Sequence, residues 1–171
     1  AGWTVRGGRL RNAAGAPFDI EVLLVQKGFE RILAPYAHNL RKLGIELKYR
    51  TVDTSLYIQR RRTFNFDMMV AGFSQSQSPG NEQIGMWHSS TADQEGSNNL
   101  AGIKDPVVDA LVEKLVYAPD RKALVAAARA LDRVLLYGEY VVPNWYIATH
   151  RVAYWDKFGH PRTLPLYYEA E

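Results

Sequence analysis

Phe66–Asp109 reads FDMMVAGFSQSQSPGNEQIGMWHSSTADQEGSNNLAGIKDPVVD, and this stretch decides the fold. An apolar strand, Phe66–Phe73, runs into a long segment rich in Ser, Gln, Asn and Gly with a single Trp. Asp105-Pro106 then starts a helix, with an N-cap residue followed by Pro at the first helical position. In open α/β sheets ligands bind just beyond the carboxyl ends of the strands, where this loop is expected. The loop offers neutral hydrogen-bonding groups and an aromatic surface. It assembles no nucleophile, base or metal set, which points to capture of a ligand rather than its transformation.

Upstream, Phe18–Val25 (FDIEVLLV) begins with alternation and ends apolar throughout, as a mostly buried strand does. Phe29–Leu43 has Ile32, Leu33, Tyr36, Leu40 and Leu43 at helical spacing, and Gly44 ends it. Pro35 interrupts that pattern, so the regular helix is expected to begin near Ala34. Ile45–Val52 alternates and reads as a half-exposed strand near an edge. Asp53 or Thr54 caps a helix over Ser55–Arg62. Strand, helix, strand, helix, strand with short connections predicts a mainly parallel sheet. The fold class is therefore α/β.

Downstream, the helix from Asp105-Pro106 has Val107, Val108, Leu111, Leu115 and Val116 as its apolar face. Asp120 caps a second helix that ends near Tyr137 and Gly138, with Leu124, Val125, Ala128, Leu131, Val134 and Leu135 inward. Tyr140–Trp155 reads as one or two strands interrupted by Pro143, with Trp145 and Tyr146 in the core. The chain is expected to form a single α/β lobe over 1–171, with an extended or hairpin lead-in at 1–17 and an irregular tail at 156–171. There is no internal repeat.

Composition excludes several classes. The 171 residues are 47% hydrophobic and 23% charged, enough to bury a core without staples. With no cysteine there is no disulfide and no thiolate metal site. Net charge is only +3, and the densest basic run is Arg60-Arg61-Arg62. No aromatic-interleaved basic stripe accompanies it, so a solvated helix face is preferred to a nucleic-acid surface. No apolar run approaches the roughly 18 residues needed to span a bilayer. The start, AGWTVRGGRLRN, lacks Met and the apolar centre of a signal peptide, and the chain is read as a piece of a longer protein.

The histidines at 38, 88, 150 and 160 do not stand at metal-ligand spacing, and neither a nucleophile elbow nor a phosphate-binding glycine motif occurs. No cofactor is expected. An enzyme using the loop would draw on Asp67, Ser74 or His88, and this is the alternative reading. Salt-sensitive binding through the Arg60–Arg62 face is a third. Trp87 is open between loop anchor and ligand-stacking surface. Asn98-Asn99 is open between a turn and amides aimed at a ligand.

Several phrases carry a resemblance: NLRKLGIEL (39–47), FDMMVAGF (66–73), SPGNEQ (78–83), SNNLAGIKDPVVDAL (97–111), the Asp120–Leu136 helix and VVPNWY (141–146). In this order they resemble the extracytoplasmic solute-binding proteins of peptide-type ABC importers, family 5, and within it the Yej peptide/microcin-receptor branch. The resemblance covers nearly the whole chain. It implies most of the C-terminal lobe of a periplasmic-binding-protein type II fold, in a two-lobed periplasmic receptor whose N-terminal lobe is missing here. It implies a peptide or peptide-like ligand and membrane permease subunits as partners, no nucleic acid, and no enzymatic activity. The ligand-facing positions it implies are Phe73, Ser74, Gln75, Ser76, Trp87, Asn98 and Asn99. An Asp that often follows the third strand in oligopeptide receptors, where it holds the peptide's α-ammonium, is replaced here by Ser-Gln-Ser-Gln. Self-association of the isolated lobe is expected from its orphaned apolar surface.

Overall fold

The structure is a computed structural model; it describes residues 2–73, 75, 76, 78–144, 153, 155, 157, 159, 162 and 163. The lead-in is an antiparallel hairpin of β1 (Thr4–Arg6) and β2 (Arg9–Arg11). Its two-residue turn, Gly7-Gly8, has positive φ at both positions, the geometry that matches strand twist and that glycine adopts without strain.

A three-stranded sheet follows, in the order β4-β3-β5, and both pairings are parallel. β3 is Asp19–Leu24, β4 is Glu46–Thr51 and β5 is Met68–Met69. Asp19 opposes Glu46, and the register runs unbroken to Leu24 opposite Thr51. Between the strands lie α1 (Glu30–Arg41) and α2 (Thr54–Arg62). The expected alternation of strands and helices is therefore present. Val22, Leu24, Ala37 and Leu47 are buried together between sheet and α1, with Leu33, Tyr36, Leu40 and Met68 packed on them. Leu23, turned to the other face by the two-residue period, is also fully buried.

Three expectations are corrected here. α1 starts at Glu30, not near Ala34, and carries Pro35 inside it. Pro35 and Arg31 are both exposed, so the carbonyl that loses its intrahelical donor can turn to water. β5 covers two residues rather than Phe66–Phe73. Its partner β3 ends one residue beyond Leu23, which pairs with Met69, and the carbonyl of Val70 accepts from the Tyr57 hydroxyl at 3.4 Å instead of a strand. The basic run is not simply a solvated face. Arg60 donates to Glu21 Oε1 and to the Asn65 carbonyl, both at 2.8 Å, and so ties α2 to β3.

A second core lies in the latter half. α4 (Pro106–Val116) and α5 (Arg121–Tyr137) bury Val108, Val112, Leu115 and Leu131, together with Ile103 from the preceding loop. Asp105 and Asp120 cap these helices as expected, accepting from Val107 N and Ala123 N, each at 2.8 Å. The inward stripe of α4 is Val108–Val112–Leu115, and Val107 is 55% exposed. Tyr140–Asn144 forms no strand. The rest of the expected terminal strand, with Trp145 and Tyr146, and most of the 156–171 tail lie outside the described residues.

Candidate functional site

The segment between β5 and α4 is more ordered than its composition suggests. It holds α3 (Glu82–Trp87) and a 3₁₀ turn at Ser89–Thr91, where the sequence reads as loop throughout. Ile84 and Trp87, three apart, pack onto the second core, and this contact selects the short helix. Asn81 makes no side-chain cap. The carboxylate of Glu82 reaches back instead and accepts from Gly80 N at 2.8 Å.

Phe73 and Trp87 meet with ring centroids 4.8 Å apart and planes tilted by 41°. Phe73 leaves the strand and remains 38% exposed. The Trp87 indole N–H donates to Gln83 Oε1 at 3.0 Å. Gln83 Nε2 donates to Gln75 Oε1 and, at 3.3 Å, to Glu82 Oε1. Gln75 Nε2 closes the ring on Glu82 Oε1 at 2.9 Å. The Gln75 hydrogen bond first, then the Gly80 N–H, hold the Glu82 carboxyl at about 2, far below its ordinary value. Ser76 Oγ accepts from Ser78 N at 3.2 Å, and Ser78 Oγ accepts from Arg121 at 3.4 Å.

The structure thus brings Phe73, Gln75 and Trp87 into one connected surface, with Ser76 on the adjoining turn. Ser74 lies outside the described residues. Asn98 is exposed and accepts from Arg61 at 2.6 Å, while Gly96 N donates to the Arg62 carbonyl at 3.0 Å. These bonds join α2 to the loop before α4. Asn99 is fully buried. Its amide donates to the carbonyls of His88 (3.2 Å) and Ile103 (3.1 Å) and accepts from Ile103 N at 2.9 Å. It holds the loop from inside. Gln83 and Glu82 escaped the sequence reading; the four-residue spacing of Gln83 and Trp87 was the available signal.

Of the groups considered for catalysis, Asp67 and His88 are occupied with structure. Asp67 Oδ2 accepts from Glu21 N at 2.8 Å and prolongs the pairing of β5 with β3. His88 Nδ1 lies 2.8 Å from Ser90 Oγ and 4.0 Å from Asp109. Burial pushes the Asp109 carboxyl up, but two hydrogen bonds from Ser89 and the nearby His88 together hold it below its ordinary value. Among the described residues no three His, Asp or Glu side chains gather where they could hold a metal ion.

No family model matches the chain. It is 51% identical to the probable peptide-binding protein YejA of Agrobacterium fabrum over 98% of this chain and 27% of that protein. It is 34% identical to the peptidoglycan-binding protein YepA of the same organism over 97% of this chain and 27% of that one. Among solved structures, the oligopeptide-binding protein AppA of Bacillus subtilis, in complex with a nonapeptide, superimposes with a TM-score of 0.71 at 26% identity. The match covers 81% of this chain and 28% of AppA. In sequence the chain is thus similar to a segment of these peptide-binding and peptidoglycan-binding proteins, and in fold it is an α/β lobe that matches the type II architecture of AppA. It is also 35% identical to YejA of Escherichia coli over 98% of this chain, and it spans about a quarter of the length of the relatives it matches. Among the described residues no helix is long and apolar enough to cross a membrane.

Proposed function

We propose that this chain supplies one wall of the ligand site in a two-lobed, extracytoplasmic ABC-importer receptor for peptides or peptide-like solutes. It works by binding alone, without catalysis. Residues 1–171 act as one lobe, the opposing wall comes from the rest of a longer receptor, and membrane permease subunits read the closed state. The observation that carries this reading is the Phe73–Trp87–Gln83–Gln75–Glu82 surface, built where the chain leaves the carboxyl end of β5.

The chemistry supports it. An extended peptide exposes backbone donors and acceptors, and Ser74, Gln75 and Ser76 can match both. Trp87 and Phe73 offer an apolar shelf for side chains of varied shape. Asn98, bonded to Arg61, offers a further neutral amide, and Asn99 keeps its loop in place. Trapped water tolerates differences between ligands. Ligand would favour the closed receptor by its differential affinity for that state.

The test is calorimetric and NMR titration of the chain with short peptides, comparing wild type with Gln75→Ala and Ser76→Ala. Weak binding, lost in the variants, is expected, because one wall alone leaves much of the ligand in water. Nanomolar binding by this chain alone would overturn the two-lobe reading. Peptide hydrolysis would revive the enzyme.

A further inference from the structure

Between α4 and α5 lies a groove of about 620 Å³ that opens to solvent. Leu111 of α4 and Ala126, Ala127 and Ala130 of α5 form its floor, and Tyr117 and Pro119 stand at the turn that joins the helices. Small side chains keep the surface of α5 low, while Tyr117 rises beside it, 79% exposed. Tyr137, seven residues beyond Ala130 and so on the same stripe of α5, is 88% exposed. The groove shares no residue with the Phe73–Trp87 surface.

The charge along this groove is one-sided. Lys122, Arg129 and Arg133 are exposed, and they stand four before, three after and seven after Ala126, so they share its side of the helix. None of the three pairs with a carboxylate among the described residues. Asp132 is two residues from Ala130 and lies off this side. Within the groove Glu113 and Lys114 offset one another. The result is an apolar trough with a basic row beside it.

That combination selects among occupants. A second copy in two-fold contact would set the basic row against itself, because such a contact pairs like patches. A membrane-binding face presents its apolar side chains as a ridge to the lipid, whereas here they are the low part of the surface. A helix with one apolar ridge and an acidic flank matches both features. Its large side chains fill the space above the alanines, and its carboxylates meet the row.

We propose that the α4–α5 groove is a docking surface for an acidic amphipathic helix of a partner protein. The apolar ridge of that helix lies over Ala126 and Ala130, its carboxylates face Lys122, Arg129 and Arg133, and Tyr117 and Tyr137 flank its two ends. The proposal is independent of the receptor reading above.

The test is an NMR titration of the full chain with acetylated, amidated peptides of about 14 residues. The first has Leu at i, i+3, i+4 and i+7 spacing with Glu and Ala elsewhere. The second replaces Glu with Lys, and the third replaces Leu with Ser. Wild type is expected to bind the first at least about tenfold more tightly than either control, with the Ala126 and Ala130 amides shifting most. Arg129→Glu combined with Arg133→Glu should remove that preference. Both positions are exposed, and the thermal midpoint reports that the fold survives. Ala126→Trp fills the groove without changing the charge and should abolish binding as well. Equal binding of the Glu and Lys peptides, or binding retained in both variants, overturns the proposal. Shifts at Ala126 and Ala130 when the chain alone is concentrated would give the groove to a second copy. Shifts with phosphatidylglycerol vesicles but not with the Leu/Glu peptide would give it to a membrane. Either result also overturns the proposal.

Discussion

Trp87 and Gln83 stand one helical turn apart on α3, and the indole N–H donates to the amide oxygen at 3.0 Å. The pair connects the two halves of the chain. Trp87 packs on the core of α4 and α5, and its ring meets Phe73, which follows the sheet. Gln83 is 5% exposed, an uncommon place for an amide, and it donates to Gln75 and Glu82. Replacing Gln83 with Leu keeps the bulk and removes three hydrogen bonds. The expected cost is about 1–3 kcal/mol, because the indole N–H and the Gln75 amide lose their partner. Urea unfolding measures the loss, and a shifted Trp87 indole resonance in the folded state locates it.

Asn99 and Gln75 were both expected to face the ligand, but they should fail differently. Asn99 is fully buried and satisfies two carbonyls and one N–H of its loop. Asn99→Ala should destabilise the fold by about 2–4 kcal/mol, since those backbone groups are left unpaired away from water. Gln75 is exposed, so Gln75→Ala should leave the unfolding midpoint near wild type. Its effect should fall on peptide binding instead. Thermal unfolding of both variants beside a peptide titration separates the roles; a destabilised Gln75→Ala with unchanged binding would reverse the assignment.

The parallel sheet and the two long C-terminal helices were legible because their signals are local. β3 is apolar at its end, Gly44 stops α1, and Asp53, Asp105 and Asp120 cap the helices they precede. Capping is decided within three residues and needs no knowledge of the fold. The extent of β5 was not legible, because pairing depends on where its neighbour β3 stops and on Tyr57, 13 residues away. Val112 was missed and Val107 wrongly turned inward, since Pro106 begins the helix and the stripe facing α5 is set by packing. In the site, the aromatic and amide types could be read from the loop. The division of labour between Asn98, bonded to Arg61, and Asn99, buried beneath, could not, because it depends on α2 meeting the loop from 37 residues away.

Gly44 closes α1 with a paired signature. Ile45 N donates to the Leu40 carbonyl at 3.1 Å and Gly44 N to the Arg41 carbonyl at 2.9 Å, with Gly44 at φ +79°. The hairpin also sits on this residue: Leu10 N donates to the Gly44 carbonyl at 2.8 Å, and an added Cβ would lie 2.6 Å from Leu10 N. Gly44→Ala therefore suffers twice, from the left-handed backbone and from collision with β2. A loss of at least about 1–3 kcal/mol is expected from the backbone alone. Amide hydrogen exchange should also show the Leu10 N–H less protected, because the hairpin must lift away. A variant destabilised without any change at Leu10 would mean that the close approach is relieved elsewhere.

Glu82 sets the pH response of the loop. Its carboxyl is held at about 2, against an ordinary 4.5, chiefly by Gln75 and then by Gly80 N. A carboxyl lowered on folding favours the folded loop while it is ionised. That contribution is complete above about pH 4.5 and is lost as pH falls toward 2, because protonation then replaces an acceptor with an O–H. The group is exposed, so the effect should appear as local loosening around α3. Followed by NMR, the Gly80 amide and the Trp87 indole should shift together as pH falls through this window. Glu82→Gln should abolish the titration seen at Gly80 while leaving the carboxylates elsewhere to titrate as before. A Gly80 amide that moves equally in the variant would show that another acid controls the loop.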